Sequence, residues 1–360
     1  MSECEKEGKS LDNFMAMLEE DAFRGMIPLK GTFELTPRCN FNCPMCYVHL
    51  GNEDANRLGR ELTNDEWLRI ARQAKDAGML YLTLTGGEPM VRPHFRELYE
   101  ELAQMGFLIQ LYSNGYLITE ETVEWLKKTP PYMMRFTMYG ASNETYRHFC
   151  NMPDAYDRYV NAVRLLREAK IPLYMVSTIT KENEQDFPKI VEFAYRNGLA
   201  FTHTTNLVKP VRGAKQDSKA HLIPTPELTG EELEEYKKHL AETESKYRER
   251  RLIERCGHYR KAFDVTWDGK MVLCTFMDKP AYDLRTTDFS DAWQQLNKEV
   301  EDICDPAECA TCKARKLCKR CPGELAAECG GSDRVTDAYC EKFLRQYEIL
   351  YSEKREVNEK

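Results

Sequence analysis

The sequence predicts an α/β fold, a partial (β/α)6 barrel followed by a small cysteine-rich C-terminal domain, and three observations predict it. From Leu29 to about Asn206, short β-rich runs alternate with helical stretches. Those runs are apolar and branched throughout, as strands covered on both faces are. Nine of the fourteen cysteines crowd into residues 256–340.

The strand candidates in order are KGTFELT (30–36), LYLTLT (80–85), FLIQLYS (107–113), YMMRFTMY (132–139), PLYMVSTI (172–179) and AFTHTTNL (200–207). Helices fill the gaps. Thr63 and Glu66 have capping-box spacing ahead of a helix ending near Gly78; Pro93 opens the next and Gly106 follows it. Residues 119–128, 155–169 and 186–197 supply three more. Right-handed crossovers make this an open or three-quarter barrel with its chemistry at the C-terminal strand ends. An N-terminal extension (1–28) precedes the barrel (29–208). In the connector (209–255), Pro210, Pro224 and Pro226 break the chain, and TGEELEEYKKHLAETESKYRERRLIER reads as a charged, solvated helix. The cysteine-rich domain spans 256–343, and 344–360 is a C-terminal helix or tail.

With 360 residues, 42% of them apolar, extensive burial is possible. A formal charge of −8 and a pI near 5.6 argue against nucleic-acid binding through broad positive charge. MSECEKEGKS leads into no signal-length apolar run, and no stretch of roughly 18 apolar residues occurs, which places the chain in the cytoplasm and off the membrane. There, clustered cysteines point to local metal sites and not to disulfides.

Cys39, Cys43 and Cys46 form a C-x3-C-x2-C loop directly after the first strand, in ELTPRCNFNCPMCYVHL. Thiolates are the usual ligands of iron–sulfur clusters; a 4Fe–4S cluster needs four, so three leave one iron open to an outside molecule. A zinc knuckle or three reduced thiols is the alternative. After strand two comes TGGEP (85–89), whose glycines allow close backbone approach and whose Glu88 offers an acceptor for an ammonium. After strand three, Ser113, Asn114 and Gly115 form either a ligand contact or an ordinary Asn-Gly turn. His49, His94 and His148 lie near strand ends but read better as surface or helix-cap histidines than as acid–base groups.

The cysteine spacing, its place after strand one and the aromatic Tyr47 beside Cys46 resemble the signature of the radical S-adenosylmethionine (radical SAM) superfamily. The resemblance implies a cofactor site of Tyr47, the methionine-binding Gly86, Gly87 and Glu88, and Ser113 and Asn114 at the ribose or methionine part. It also suggests ribose and carboxylate contacts from Ser177 at the end of strand five and Arg212 after strand six, although Arg212 equally suits a solvated loop. It implies reductive cleavage of SAM to a 5′-deoxyadenosyl radical that abstracts hydrogen, with the protein orienting the target C–H and excluding water.

The C-terminal cysteines have an informative order. Cys256 is followed by Gly269-x4-Cys274, by Cys309-x2-Cys312-x5-Cys318-x2-Cys321, and by the distant Cys340. This resembles the SPASM extension of radical SAM maturases, which usually carries two auxiliary 4Fe–4S clusters. Carried over, Cys309, Cys312, Cys318 and Cys340 hold the outer cluster and Cys256, Cys274 and Cys321 the inner one. The inner fourth position is left to Cys304, Cys329 or substrate, because the family's C-x5-C-x3-C is here Cys318-x2-Cys321. A pair of zinc ribbons is the alternative, and Cys4 and Cys150 read as ordinary thiols.

The resemblance implies a peptide or protein substrate, a flavodoxin or ferredoxin electron donor and oxygen sensitivity. Sulfatase maturases carry a basic Asp directly after the G-x4-C cysteine; Thr275 stands there here, which places formylglycine formation second to oxidative modification or crosslinking of a ribosomally made peptide. Only 38 residues precede Cys39, too few for the winged-helix leader module of many crosslinking members, so leader recognition is expected from elsewhere. Radical oxidation of a small molecule, or a non-enzymatic iron–sulfur carrier or zinc-ribbon module, are the other readings.

Overall fold

Strand-forming runs at 30–36, 80–85, 107–113, 132–139, 172–179 and 200–207 become β1 (Lys30–Glu34), β2 (Tyr81–Thr85), β3 (Leu108–Ser113), β4 (Met133–Thr137), β5 (Leu173–Thr178) and β6 (Ala200–Thr204). The structure is a computed structural model that describes residues 3–223, 230–246, 251–318 and 320–351. All six strands are parallel and pair in chain order. β6 and β1 do not pair, so the barrel is open. Beyond β1 the sheet continues with β7 (Ala262–Val265), parallel to it, then β8 (Lys270–Val272) and β9 (Tyr282–Asp283), both antiparallel, in the order β6-β5-β4-β3-β2-β1-β7-β8-β9. The cysteine-rich region is therefore joined to the barrel by backbone hydrogen bonds from β7 to β1.

The helices are α1 (Glu3–Gly25), α2 (Asn52–Leu58), α3 (Asn64–Asp76), α4 (Phe95–Gln104), α5 (Glu120–Leu126), α6 (Asn143–Cys150), α7 (Ala155–Glu168), α8 (Phe187–Arg196), α9 (Gly230–Lys246), α10 (Phe289–Glu301), α11 (Pro322–Cys329) and α12 (Asp337–Tyr351). Thr63 and Glu66 form the expected reciprocal capping box on α3. α4 starts after His94, which caps it in the left-handed conformation, and so begins two residues later than Pro93. The core is continuous: Trp67, Leu98, Tyr99 and Leu102 of the covering helices meet Phe33, Leu82, Leu84 and Leu111 of the sheet, all at most 1% exposed.

The connector helix departs from expectation. Leu240 of α9 is buried, and Gln346 of α12 donates to the Tyr236 hydroxyl at 3.1 Å, so α9 is packed and not simply solvated. Leu233, Tyr236 and Leu240 supply a narrow stripe at helical spacing that the surrounding charges mask. Pro224 and Pro226, the end of the expected helix near 247–250 and the tail from 352 lie outside the described residues.

Candidate active site

The first cysteine loop is held against the glycine turn by backbone bonds. Gly87 N donates to Thr36 O at 2.8 Å and Glu88 N to Arg38 O at 2.9 Å, tying the end of β2 to the segment leading into Cys39. Both glycines are required by contact. A Cβ on Gly86 would sit 2.3 Å from Thr36 O, and one on Gly87 would sit 2.2 Å from Arg38 O and 3.0 Å from Cys39 Cβ. Cys39, Cys43 and Cys46 all line one cavity of about 450 Å³ at the C-terminal ends of the strands, together with Gly86, Gly87 and Asn114. Burial pushes the Cys39 and Cys46 thiols up, Cys46 to about 11, and the adjoining Cys150 thiol together with burial pushes up Cys43, so all three are neutral until a metal replaces their protons.

Glu88 is fully buried and spans two strand ends. Its carboxylate accepts from Ser113 Oγ at 3.1 and 3.2 Å, from Asn114 N at 2.8 Å and from Met90 N at 3.2 Å. Asn114 in turn donates to Asn40 Oδ1 at 2.8 Å, inside the cysteine loop. Glu88, expected to face a ligand, instead organises the Ser113–Asn114 turn, whose two residues line the cavity. Burial outweighs these bonds and raises its carboxyl from 4.5 to about 7. The folded chain therefore keeps this proton after the unfolded chain has lost it, and stability falls as pH rises through that window. We expect the difference in urea-measured stability between wild type and Glu88→Gln to change by on the order of 3 kcal/mol from pH 4.5 to 7 and to level off above it. A difference independent of pH would contradict the buried, proton-holding carboxyl.

Cys150 has a neighbour that its sequence position conceals. Its Sγ lies 3.6 Å from Cys43 Sγ, and its carbonyl accepts from Asn42 N at 3.1 Å, so the end of α6 forms the floor of the loop. The capping signal Ser142, which accepts from Thr145 N, would have revealed α6 but not this contact. Two buried thiols this close are poised to join when no metal occupies Cys43. Diamide treatment of the metal-free protein should give a Cys43–Cys150 linked tryptic pair by mass spectrometry, absent in Cys150→Ala; unlinked peptides in wild type would refute the contact.

The second cysteine field separates into two groups. Cys274 lies within charge–charge range of Cys256 and Cys321, and Gly323 packs so tightly on it that a Cβ would meet Cys274 Sγ at 2.7 Å. Cys309, Cys312, Cys318 and Cys340 form the other group, with Cys329 beside Cys340. Cys304 is exposed on a separate groove. Neither candidate for the fourth inner position thus falls within the inner group. His258, which the spacing gave no reason to select, does adjoin it: its ring bonds the Cys256 thiol and lies 3.7 Å from Asp264 Oδ1, which burial holds above the ordinary carboxylate range. Among the described residues no three His, Cys, Asp or Glu side chains converge on a single ion.

The remaining expected contacts are placed as follows. Tyr47 lines the cavity, its ring edge-on to Phe276 with centroids 5.4 Å apart. Ser177 is buried and donates to Met138 O at 2.6 Å. Arg212 is largely buried and directs its guanidinium to Glu34 and Thr275. None of Ser177, Arg212 and Glu88 lines the cavity. His49 does, and burial lowers its pKa. His94 and His148 are exposed.

Residues 33–194 match the model of the Radical SAM superfamily, and this stretch is a radical SAM domain. The chain thus carries a radical SAM domain followed by a cysteine-rich C-terminal region, an arrangement similar to that of SPASM-type radical SAM maturases; the radical SAM class binds S-adenosylmethionine and a 4Fe–4S cluster. Among curated relatives, it is 28% identical over 326 residues to the AdoMet-dependent heme synthase of Methanosarcina barkeri, covering 83% of this chain and 92% of that one. It is 30% identical over 174 residues to the PqqA peptide cyclase of Granulibacter bethesdensis, covering 48% and 46% respectively. The fold is similar to that of Streptococcus suis SuiB bound to the precursor peptide SuiA, with TM-score 0.65 and 16% identity over 92% of this chain and 81% of that one. No helix among the described residues is long and apolar enough to cross a membrane.

Proposed function

We propose that this enzyme oxidatively modifies or crosslinks a ribosomally made peptide. The observation that carries this reading is the one cavity in which the first cysteine loop, the glycine turn, and Phe276 and Glu324 from the second cysteine field meet. Cys39, Cys43 and Cys46 would hold the cluster, and the glycine cradle beside Cys39 fits it, since a Cβ there would displace the loop. Tyr47, Gly86, Gly87, Ser113 and Asn114 would seat S-adenosylmethionine, with Glu88 holding the Ser113–Asn114 turn from behind; Ser177 and Arg212 are already engaged elsewhere. When bound, cluster and cofactor together supply the radical that abstracts hydrogen.

The chain's own residues shape what is presented to that radical. Thr85, Thr137, Thr178 and Thr204, the last residues of β2, β4, β5 and β6, form a neutral polar rim suited to peptide amides. An anionic substrate would meet Glu324 and no Lys or Arg among the described lining residues. Phe41 and Tyr139 close the wall beside the cysteines and keep water from them. Cys256, Cys274 and Cys321 would hold an inner auxiliary cluster and Cys309, Cys312, Cys318 and Cys340 an outer one. A flavodoxin or ferredoxin in the cytoplasm would supply electrons.

Peptide-directed relatives and the peptide-bound structural neighbour support this reading. Similarity over nearly the full length of a heme synthase favours a second, radical oxidation of a small molecule. The test is anaerobic reconstitution with iron and sulfide counted, then S-adenosylmethionine and dithionite. About twelve irons per chain and 5′-deoxyadenosine by mass spectrometry are expected. Screening peptides encoded beside the gene then decides the substrate: a mass loss of two hydrogens supports the peptide reading, and turnover of a small molecule with no peptide present overturns it.

A further inference from the structure

The segment after β6 crosses between the two cysteine fields and grips both. Val211 N donates to Tyr47 O at 2.9 Å, the carbonyl of the residue directly after Cys46. Arg212 Nη1 donates to Thr275 O at 2.6 Å, the carbonyl of the residue directly after Cys274. Two consecutive residues thus hold the two positions that follow a cysteine in each field. The side-chain layer repeats the link. Arg212 Nη2 pairs with Glu34 Oε1 at 2.6 Å and reaches Thr275 Oγ1 at 3.4 Å; Thr275 Oγ1 donates to Glu34 Oε1 at 3.3 Å; the Tyr47 hydroxyl bonds the Thr275 side chain.

This link is costly to build, which argues that it is specific. Arg212 has φ +50°, a left-handed conformation unfavourable for an arginine, and its side chain is only 12% exposed. Glu34 and Arg212 form a buried ion pair, and the cost of removing both charges from water offsets much of their attraction, so the pair adds little net stability. The planar fork of arginine reaches a carbonyl and a carboxylate at once, which one lysine ammonium cannot do in the same directions.

We propose that Arg212, with the Val211 amide, couples the two cysteine sites, so that occupancy of the first is transmitted to the inner group of the second. Arg212 is a positioning residue in this role. It acts through Thr275, as the Val211 amide acts through Tyr47.

Two measurements test this. Hydrogen exchange on the metal-free full chain, which does not depend on the functional reading above, compares wild type with Arg212→Gln and Arg212→Lys. Exchange should quicken roughly tenfold in peptides covering both 44–50 and 270–278 in Arg212→Gln, and less in Arg212→Lys. A change confined to residues 208–214 would overturn the coupling. The second measurement rests on the radical SAM reading and uses reconstituted, dithionite-reduced protein of equal iron content. Adding S-adenosylmethionine should alter the electron paramagnetic resonance signals of the second field in wild type, and this response should vanish in Arg212→Gln while the first cluster still responds. An unchanged second-field response in Arg212→Gln would refute the proposal. If no cluster responds even in wild type, the functional reading fails, and the exchange data alone judge the coupling.

Discussion

Replacing Cys39, Cys43 and Cys46 together by alanine should remove about four irons per chain and abolish 5′-deoxyadenosine formation, leaving the second cysteine field loaded. The loop should keep its course without its thiols, because its anchors are backbone bonds: Gly87 N to Thr36 O, Glu88 N to Arg38 O, Leu50 N to Pro37 O and Val211 N to Tyr47 O. Loss of activity in this variant is therefore loss of the metal site and not of the fold, which an unchanged far-ultraviolet spectrum would verify. Iron content equal to wild type, or deoxyadenosine still formed, would show that the first loop is not the working site.

Gly87→Ala should be as damaging by a purely steric route. Its Cβ would lie 2.2 Å from Arg38 O and 2.6 Å from Arg38 C, and neither backbone atom can rotate away as a side chain could. Relief requires the loop to shift, breaking the two bonds that join the glycine turn to the cysteine segment. A destabilisation of roughly 3 kcal/mol and an empty first site are expected, read by urea unfolding and iron content. Gly51→Ala is the matched control, since its Cβ meets nothing within 4 Å and its φ is −65°; it should stay within about 0.5 kcal/mol of wild type. Equal behaviour of the two variants would mean that the turn does not position the cysteines.

Much of this architecture is legible in the sequence because it is encoded locally. Strand runs such as LYLTLT, the Thr63–Glu66 capping box and the C-x3-C-x2-C loop are contiguous signals, and each element forms within a few residues of its expected position. Helix α6 also had a local signal in Ser142. The stripe on α9 was masked by its charges, since Leu233, Tyr236 and Leu240 are separated by Glu and Lys. Side-chain direction is a different matter. Glu88 bonds Ser113 and Asn114, Ser177 turns to Met138, and Arg212 turns inward to Glu34 and Thr275, each directed by neighbours 25 to 178 positions away.

By itself the sequence determined the parallel barrel order and the grouping of the cysteines into an early loop and a later field, because strand periodicity and residue spacing are properties of short segments. Only the tertiary structure decided that β7 extends the barrel sheet, that Cys150 lies against Cys43, and that Val211 and Arg212 join the two cysteine fields. Contacts between residues some 60 to 230 positions apart depend on how closely packed strands and loops are brought together, and no spacing along the chain records that.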